Sequence, residues 1–459
     1  MRHPSLDDDR TRHPLLTDAG RAQLDFMREH PNAPLWNYAC GDQLDAAGLE
    51  AVRAFGRRDA ALWGEGELPA WLIDFTERVL RDVPFYRAYD ASPVTSLPRF
   101  RALPLTSRDD LRREATRFVP DDQPLAPMMV YDTSGTTGTS LHVMADAVTS
   151  ASILPLMRRA LAAHGVTLTG GAGRVSIVLV GAQTATLTYA TVSSVLDGAG
   201  FVKLNIESSQ WRSPDDVTRY LDALCPEIYT GTPLSFEALA ALDLKTRPKA
   251  LLSTAMTLLP GTRARLEGHF GCPVLDVYSL TECRYVAVAT SRGHRLLRPD
   301  LFVEIVDGNG AACPPGVRGE IVLSGGNNPF LPLLRYRTGD HGVLRCAPDG
   351  VYIDGLEGRP PVVFTASDGR PVNNIDITHA LRDIALSRFA LHQDEQEGLS
   401  FRYTGTVDEA AIALALRSAL GADASITITR DEGLDGKWIQ YSRSGGAGSP
   451  RTIGLEGDA

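Results

Sequence analysis

The spacing of hydrophobic and polar residues changes along the chain, and its first part predicts helices. Up to about residue 120, apolar residues recur at helical spacing from Leu44 to Leu62 and from Leu68 to Val83, and Pro84 ends the second pattern. A third helix is predicted to begin near Ser107, where Asp110 follows three residues later as in a capping box. This part of the chain is therefore predicted to be mainly helical.

From Met128 onward, short apolar runs alternate with longer helical patterns. This alternation is typical of βαβ units and predicts an α/β fold with a largely parallel sheet. The predicted strands are Met128–Tyr131, Val175–Val180, Ala250–Leu252 and Val274–Val277, and the predicted helices are Val148–Ala163, Pro214–Leu224 and Thr262–Phe270.

After Glu282 the helical patterns give way to strands joined by Gly, Pro, Asn and Asp turns. From about Gly358 a small α+β unit is predicted, with helices near 375–386 and 409–420. We therefore expect a large N-terminal domain over residues 1–358 and a small, mobile C-terminal domain over 359–459. The Gly-, Ser- and Pro-containing tail after Arg443 is predicted to be disordered.

Charge and composition exclude several classes of protein. The 459 residues carry a formal net charge of −10, which argues against nucleic acid or an anionic membrane as the main partner. Six cysteines are too few for a disulfide scaffold, the N-terminus lacks a secretory signal pattern, and no apolar run is long enough for a membrane span. These features predict a cytoplasmic protein, whose oligomeric state is left open with a homodimer as one option.

A run of small hydroxylated residues and glycines follows the first predicted strand. Such a run lets the backbone approach a polyanion and offers N–H and O–H donors. An ordinary turn is the alternative, and a Walker A loop is excluded because no Gly-Lys-Ser/Thr follows at the required spacing. The run consists of Thr133, Ser134, Gly135, Thr136, Thr137, Gly138 and Thr139.

Two further motifs place aromatic, hydroxyl and carboxylate groups near strand ends. In the segment 276–282, Tyr278, Thr281 and Glu282 could stack a base, touch a phosphate and hold Mg²⁺; a solvated turn is the alternative. In the segment 335–340, Asp340 follows a glycine and could accept two ribose hydroxyls, with arginines nearby for phosphate; a β-turn with a surface ion pair is the alternative.

Taken in this order, the three motifs resemble those of the adenylate-forming superfamily of acyl-CoA synthetases, luciferases and peptide-synthetase adenylation domains. The similarity runs from about Trp36 to Arg443 and is greatest to the branch of phenylacetate-CoA ligase, through the additional segments 83–87, 103–106 and 229–233. The resemblance implies a large adenylating domain, a small mobile domain, and the cofactors ATP, Mg²⁺ and CoA.

The resemblance also implies a role for each motif residue and for two further positions in the ATP site. The implied roles are phosphate cradle for Thr133 to Thr139, adenine stacking for Tyr278, α-phosphate contact for Thr281, Mg²⁺ ligation for Glu282, ribose binding for Asp340, a place beside the ribose for Arg359, and a catalytic cation on a mobile loop for Lys437. A turn lysine on the surface is the alternative for Lys437.

Several positions depart from the pattern of the family. The turn before the adenine pocket, residues 253–256, has the sequence Ser-Thr-Ala-Met. Position 279 is Ser where Gly is usual, and Pro360–Pro361 stands where the family has an acidic hinge residue. Because proline fixes φ, the domain rotation between half-reactions is in question. Some relatives bind zinc, but here only Cys283 and His294 occupy that stretch, and buried thiols are the simpler interpretation.

The sequence thus predicts an enzyme that uses Mg-ATP to convert an acid, expected to be aromatic or cyclic, into an acyl-adenylate, with CoA as the expected acceptor. The segments 182–188, 229–233 and 253–256 are the candidates for the acid pocket, because their small side chains leave space. Transfer to an amine, a carrier-protein thiol or an inorganic nucleophile is one alternative. A non-catalytic nucleotide-binding relative is the other.

Overall fold

The computed structural model describes residues 6–60, 62–89, 92–132, 141–182, 186–206, 208–358, 362–381, 383–386, 388–431 and 439–444. These residues form two compact units, one made of 6–132, 141–257 and 266–358, the other of 258–265 and 362–444. Within the described ranges, no helix combines the length and apolar character needed to cross a bilayer. The functional division of the chain at residues 358 and 359 stays a prediction.

Helices occur throughout the described residues. They are α1 Leu6–Arg12, α2 Asp18–Glu29, α3 Ala46–Arg57, α4 Ala70–Asp82, α5 Leu97–Arg101, α6 Arg108–Glu114, α7 Ala147–Ala151, α8 Ile153–Ala162, α9 Asp216–Leu224, α10 Pro233–Ala240, α11 Pro260–Phe270, α12 Asn374–Leu381 and α13 Glu409–Leu420.

The strands concentrate after residue 128. They are β1 Met129–Asp132, β2 His142–Ala145, β3 Val175–Gly181, β4 Tyr189–Ser193, β5 Ala199–Asn205, β6 Ile228–Gly231, β7 Ala250–Ser253, β8 Val274–Leu280, β9 Arg284–Thr290, β10 Gly293–Leu296, β11 Leu301–Val306, β12 Gly319–Gly325, β13 Leu333–Ala347, β14 Gly350–Glu357, β15 Val363–Thr365, β16 Pro371–Asn373, β17 Phe389–Gln393, β18 Leu399–Tyr403, β19 Ile426–Arg430 and β20 Tyr441–Arg443.

Local sequence explains where the early helices begin and end. The side chains of Ser107 and Asp110 form the predicted capping box at the start of α6. Helix α4 ends at Asp82, two residues before Pro84, as predicted. The pattern predicted as one helix over 148–163 is instead divided into α7 and α8 at Ser152. Pro155 has no N–H to donate to the carbonyl of Ala151, which accounts for this break.

The first unit is built on one large sheet, which contains twelve of the described strands in the order β11-β12-β13-β14-β10-β9-β8-β7-β6-β3-β5-β4. Strands β5, β3, β6, β7 and β8 run parallel and form its centre. The strands beyond β8 are antiparallel to their neighbours, as is β4 at the opposite edge. The predicted α/β class with a largely parallel centre is confirmed.

The parallel strands are buried on both faces, which is why they read as continuous apolar runs in the sequence. One core packs α3, α7 and α8 against one face, through residues such as Leu156, Ile177 and Leu252. A second core contains α4 and the antiparallel strands, through residues such as Phe100 and Tyr336. The end of β8 contributes to both cores, through Val277 in the first and Tyr278 in the second.

The second unit contains the sheet β19-β18-β17-β20, the hairpin β15-β16 and the helices α12 and α13. Buried and less buried residues alternate along β17 and β18, as expected for strands with one face on a core. The core beneath them includes Phe364, Leu381, Phe401 and Leu416.

Candidate active site

The carboxyl ends of β3, β6, β7 and β8 meet at one edge of the parallel sheet, which is where ligands bind in open α/β sheets. The motif at 276–282 lies here: β8 continues through Tyr278 to Leu280, and residues 281–283 form the turn into β9. The motif at 335–340 lies inside the long strand β13 rather than in an isolated turn.

Tyr278 and Asp340 meet although 62 residues separate them. The Tyr278 hydroxyl donates a hydrogen bond to Asp340 Oδ2 at 2.7 Å. Burial of the ring, together with the Asp340 charge, raises the pKa of Tyr278 well above its ordinary value, so this hydroxyl keeps its proton and remains a donor. The backbone N–H of Asp340 donates to Thr338 Oγ1 at 3.0 Å. The Tyr278 hydroxyl therefore orients the Asp340 carboxylate, and the Thr338 hydroxyl fixes the Asp340 backbone.

Glu282 forms a second centre in the turn between β8 and β9. Its side chain is only 2% exposed, and Tyr336 and Arg108 donate to the same oxygen, Oε1, at 2.9 Å and 3.3 Å. No described residue donates a hydrogen bond to Oε2. Burial and the Glu282 charge raise the pKa of Tyr336 well above its ordinary value, which keeps it a donor.

Arg108 reaches Glu282 because the chain before α6 is fixed to β13. The backbone N–H of Thr106 donates to the Arg335 carbonyl at 2.9 Å, and the N–H of Arg337 donates to the Thr106 carbonyl at 2.8 Å. Arg335 itself is buried, with a φ of 48°, and its Nε donates to buried Glu304 at 3.1 Å. The segment that begins α6 thus lies beside β13 and brings a cation to Glu282.

Sequence reasoning missed Arg108, Tyr336 and Glu304 as parts of this site. It offered the arginines of the third motif for phosphate, but Arg335 is buried and paired with Glu304, and Arg337 is paired with Glu320. Tyr336 and Arg335 belong to the third motif, so their proximity to Asp340 was a usable signal. Nothing in the local sequence around Arg108 indicates a contact with Glu282, 174 residues away.

Three groups of predicted site residues lie outside the described residues. They are the phosphate-loop residues Thr133, Ser134, Gly135, Thr136, Thr137 and Gly138, the junction residue Arg359, and Lys437. Their implied roles stay predictions, as do those of Tyr278, Thr281, Glu282 and Asp340.

The three predicted pocket segments differ in their positions. Ser253 ends β7, and its Oγ is buried without a hydrogen-bond partner among the described residues. The same is true of Thr188 Oγ1, just before β4. Both lie at the edge where the parallel strands end, and buried hydroxyls without partners there are suited to a ligand or water. Tyr229 is different, because it lies near the start of β6, where burial and the nearby Asp222 and Cys225 raise its pKa.

The described residues contain no cluster of side chains suited to hold a metal ion by themselves. No three His, Cys, Asp or Glu side chains among them come close enough together to hold an ion. His294 lies 3.6 Å from Asp276, and burial raises the pKa of the Cys283 thiol to about 12, which disfavours the thiolate that zinc requires.

Comparison with known proteins agrees with this architecture. A family model described as AMP-binding enzyme matches residues 78–328, more than half of the chain. A comparison with curated protein sequences gives no match.

Among solved structures, 2-hydroxyisobutyryl-CoA ligase in its postadenylation state with R3-HIB-AMP is similar, with a TM-score of 0.60, 18% identity, and coverage of 83% of this chain and 94% of that one. Its open conformation with 2-HIB-AMP and CoA has a TM-score of 0.50 and 19% identity, covering 81% and 90%. At these identities the likeness shows the fold alone. The family match, which spans both β8 and the Glu282 turn, shows that this chain belongs to the AMP-binding enzyme family.

Proposed function

We propose that the protein is an AMP-forming acid–CoA ligase of the phenylacetate-CoA ligase-like branch. In the first half-reaction an acid oxygen attacks the α-phosphorus of ATP, the bond to the bridging oxygen breaks, and pyrophosphate leaves. In the second, the CoA sulfur attacks the acyl carbon, AMP leaves, and the thiol proton passes to solvent. Activation is needed because a free carboxylate is a poor electrophile.

One observation carries this proposal: two carboxylates, Glu282 and Asp340, are each oriented by a tyrosine hydroxyl beside the end of β8. Asp340 would accept the two ribose hydroxyls, a charge-assisted contact that selects a nucleoside. Tyr278, whose ring is 9% exposed, would contribute the adenine-facing surface, and the Thr281 hydroxyl in the adjacent turn would contact the α-phosphate.

The residues present fit a magnesium ion bound together with the nucleotide. Mg²⁺ is usually held by one or two protein carboxylates and the substrate phosphates, so a large protein cluster is not required. Glu282 Oε2, which receives no hydrogen bond from a described residue, would be the ligand. When bound, the ion would neutralise phosphate charge and so favour the approach of two anions.

The other groups that would neutralise the phosphate charge are proposed from the resemblance to the adenylate-forming superfamily. Thr133 to Gly138 would cradle the phosphates with backbone and hydroxyl donors, and Arg359 would lie near the ribose. Lys437 would place its ammonium between the acid oxygen and the α-phosphate, where lysine suits the task as a compact charge on a flexible stem. CoA is proposed as acceptor with support from the similar fold of 2-hydroxyisobutyryl-CoA ligase, which was solved with an acyl-AMP and CoA.

The test is pyrophosphate exchange into ATP across a panel of aromatic and cyclic acids, without any acceptor. We expect acid-dependent exchange, followed by thioester formation when CoA is added. Exchange without thioester formation would favour a different acceptor, and a complete lack of exchange with nucleotide binding intact would favour a non-catalytic relative.

Lys437→Ala separates the half-reactions. We expect it to lower adenylate formation by several orders of magnitude while largely sparing transfer from a supplied acyl-adenylate, because the acceptor then attacks a neutral carbonyl. Lys245→Ala, at an exposed position, is the matched control. Equal loss in both half-reactions would contradict the assigned role.

A further inference from the structure

Asp340 lies in a β-bulge between the antiparallel strands β12 and β13. The backbone of Glu320 on β12 pairs with His341, the residue directly after Asp340. Before that pair the register shifts, because β13 has three residues, 338–340, where β12 has only Ile321. Bulges are common next to active sites, where the extra residues re-aim a side chain. The direction of the Asp340 side chain therefore depends on what holds this bulge.

Glu320 holds the bulge with both of its carboxylate oxygens. Its Oε1 accepts a hydrogen bond from the backbone N–H of Gly339 at 3.1 Å, and its Oε2 accepts one from Arg337 Nε at 2.8 Å. Gly339 has a φ of 79°, a left-handed conformation that glycine adopts without strain. A bulged residue is left out of the regular pairing between strands, so its N–H needs another acceptor. Glu320 supplies that acceptor.

Thr338 connects the same bulge to both of its ends. Its hydroxyl donates to the carbonyl of Ile321 at 2.8 Å and accepts the backbone N–H of Asp340 at 3.0 Å. Together with Glu320, it fixes the chain immediately before Asp340 and the Asp340 N–H itself. The Tyr278 hydroxyl on β8 then meets Asp340 Oδ2 at 2.7 Å.

The contact between Glu320 and Arg337 differs from an exposed ion pair, which contributes little. The Glu320 side chain is only 10% exposed. Arg337 is also fixed through its backbone, because its N–H donates to the Thr106 carbonyl at 2.8 Å. The first residue of the irregular segment is thus anchored on one side by the chain before α6 and on the other by Glu320.

We propose that Glu320 is a positioning residue that sets the preference of this enzyme for the ribose of ATP. It acts through the Gly339 N–H and the Arg337 side chain, which fix the bulge that directs Asp340 toward the two ribose hydroxyls. Glu320 itself does not touch the nucleotide. This inference rests on the proposed function, which assigns Asp340 to the ribose, and it adds the residue that makes this contact selective.

The experiment compares the binding of ATP and 2′,3′-dideoxy-ATP, which lacks both ribose hydroxyls, by calorimetry in the presence of Mg²⁺. We expect the wild-type protein to bind ATP at least about tenfold more tightly, because a hydrogen bond to a charged group contributes roughly ten- to hundredfold. Glu320→Ala should weaken ATP binding by about tenfold and change dideoxy-ATP binding by less than about twofold. A displaced Asp340 penalises only a ligand that carries the hydroxyls.

Two further variants and a control sharpen the comparison. Glu320→Gln keeps an acceptor for the Gly339 N–H and should lose less of the preference for ATP than Glu320→Ala. Thr338→Val removes the other contact of the bulge and should also lower this preference. Asp354→Ala is the matched control, because Asp354 accepts from Arg345 Nε at 2.7 Å between β13 and β14, outside the bulge. It should leave the preference unchanged.

Equal weakening of both nucleotides by Glu320→Ala would show a merely structural role and overturn this inference. An unchanged preference in Glu320→Ala and Thr338→Val would overturn it as well, and both results would leave the ribose role of Asp340 in place. A wild-type protein that binds the two nucleotides equally would overturn that role and, with it, this inference, while acid-dependent pyrophosphate exchange would still support adenylation. If Glu320→Ala does not fold, Glu320→Gln and Thr338→Val decide the question.

Discussion

Two buried glutamates of the same sheet, one where the parallel strands begin and one where they end, differ in how many of their acceptor sites are occupied by hydrogen bonds. Glu227 precedes β6, at the edge where the parallel strands begin. It accepts hydrogen bonds from the Lys249 ammonium, the Ser176 hydroxyl and the backbone N–H groups of Thr169 and Gly170. A carboxylate offers about four acceptor sites, so the protein itself satisfies Glu227.

Glu282, at the opposite edge, is at least as buried, but its two described donors both use Oε1. No described residue uses its remaining acceptor capacity, which suits this oxygen to a ligand. Burial alone therefore does not identify a carboxylate that is suited to bind a ligand. A buried carboxylate whose acceptor sites are filled stabilises the fold, whereas one with a vacant oxygen at the carboxyl end of a parallel strand is suited to chemistry.

The largest effect is expected for Glu282→Gln, which keeps the shape of the side chain and removes its charge. Loss of the proposed metal ligand should cost several kcal/mol of transition-state stabilisation, so Mg-dependent exchange should fall by more than about a hundredfold. Circular dichroism and the melting temperature should stay near the wild-type values. Near-normal turnover at limiting Mg²⁺ would show that Glu282 is not a ligand.

Glu227→Gln should have the opposite profile. We expect a loss of about 2–3 kcal/mol in the free energy of unfolding, since hydrogen bonds to a buried charge are lost, and unchanged exchange per folded molecule. Denaturant titration and exchange rates measured on the same preparation check this. Glu50→Gln is the matched control, because Glu50 is exposed and its ion pair with Arg57 should matter little. A stable but inactive Glu227→Gln enzyme would contradict the comparison.

The pH dependence of stability tests Glu227 independently. Burial alone would raise its pKa, but the bonds from Lys249, Gly170, Thr169 and Ser176 outweigh burial and lower the pKa to about 2. Since the unfolded carboxyl takes up a proton near its ordinary value, Glu227 should stabilise the fold above about pH 4.5 and lose this contribution as pH falls toward 2. Unfolding curves for Glu227→Gln should show a correspondingly weaker acid dependence. Identical acid dependence in both proteins would count against the arrangement.

Smaller effects are expected when either tyrosine that donates to Glu282 or Asp340 is replaced by phenylalanine. Tyr336→Phe removes one donor to Glu282 and should raise the Mg²⁺ concentration for half-maximal exchange by about tenfold or less, because Arg108 remains. Tyr278→Phe removes the donor to Asp340 and should instead raise the KM for ATP. If both variants changed the same parameter, the two carboxylates would not have separate roles.

Much of the fold could be predicted because several elements carry strong local signals. The continuous apolar runs of β3, β7 and β8, the Ser107–Asp110 capping box and the stop at Pro84 each reflect short-range physics that a single sequence displays. Strands such as β4 and β9 were not predicted. The segment Tyr189–Ser193 of β4 contains the strand-favouring residues Tyr, Thr and Val but is only five residues long, so its local signal is short, and its place in the sheet comes from pairing with β5.

In the candidate site, too, some features could be predicted from the sequence and others depend on the tertiary structure. The sequence by itself determined the residue types at 278, 281, 282 and 340 and the order of the motifs, which is enough to indicate adenylate chemistry. The tertiary structure alone decided that Tyr278 contacts Asp340 and that Tyr336 and Arg108 share one oxygen of Glu282. The reason is that motif patterns record neighbours along the chain. Hydrogen bonds and burial depend on how segments 54 to 174 residues apart are brought together by packing.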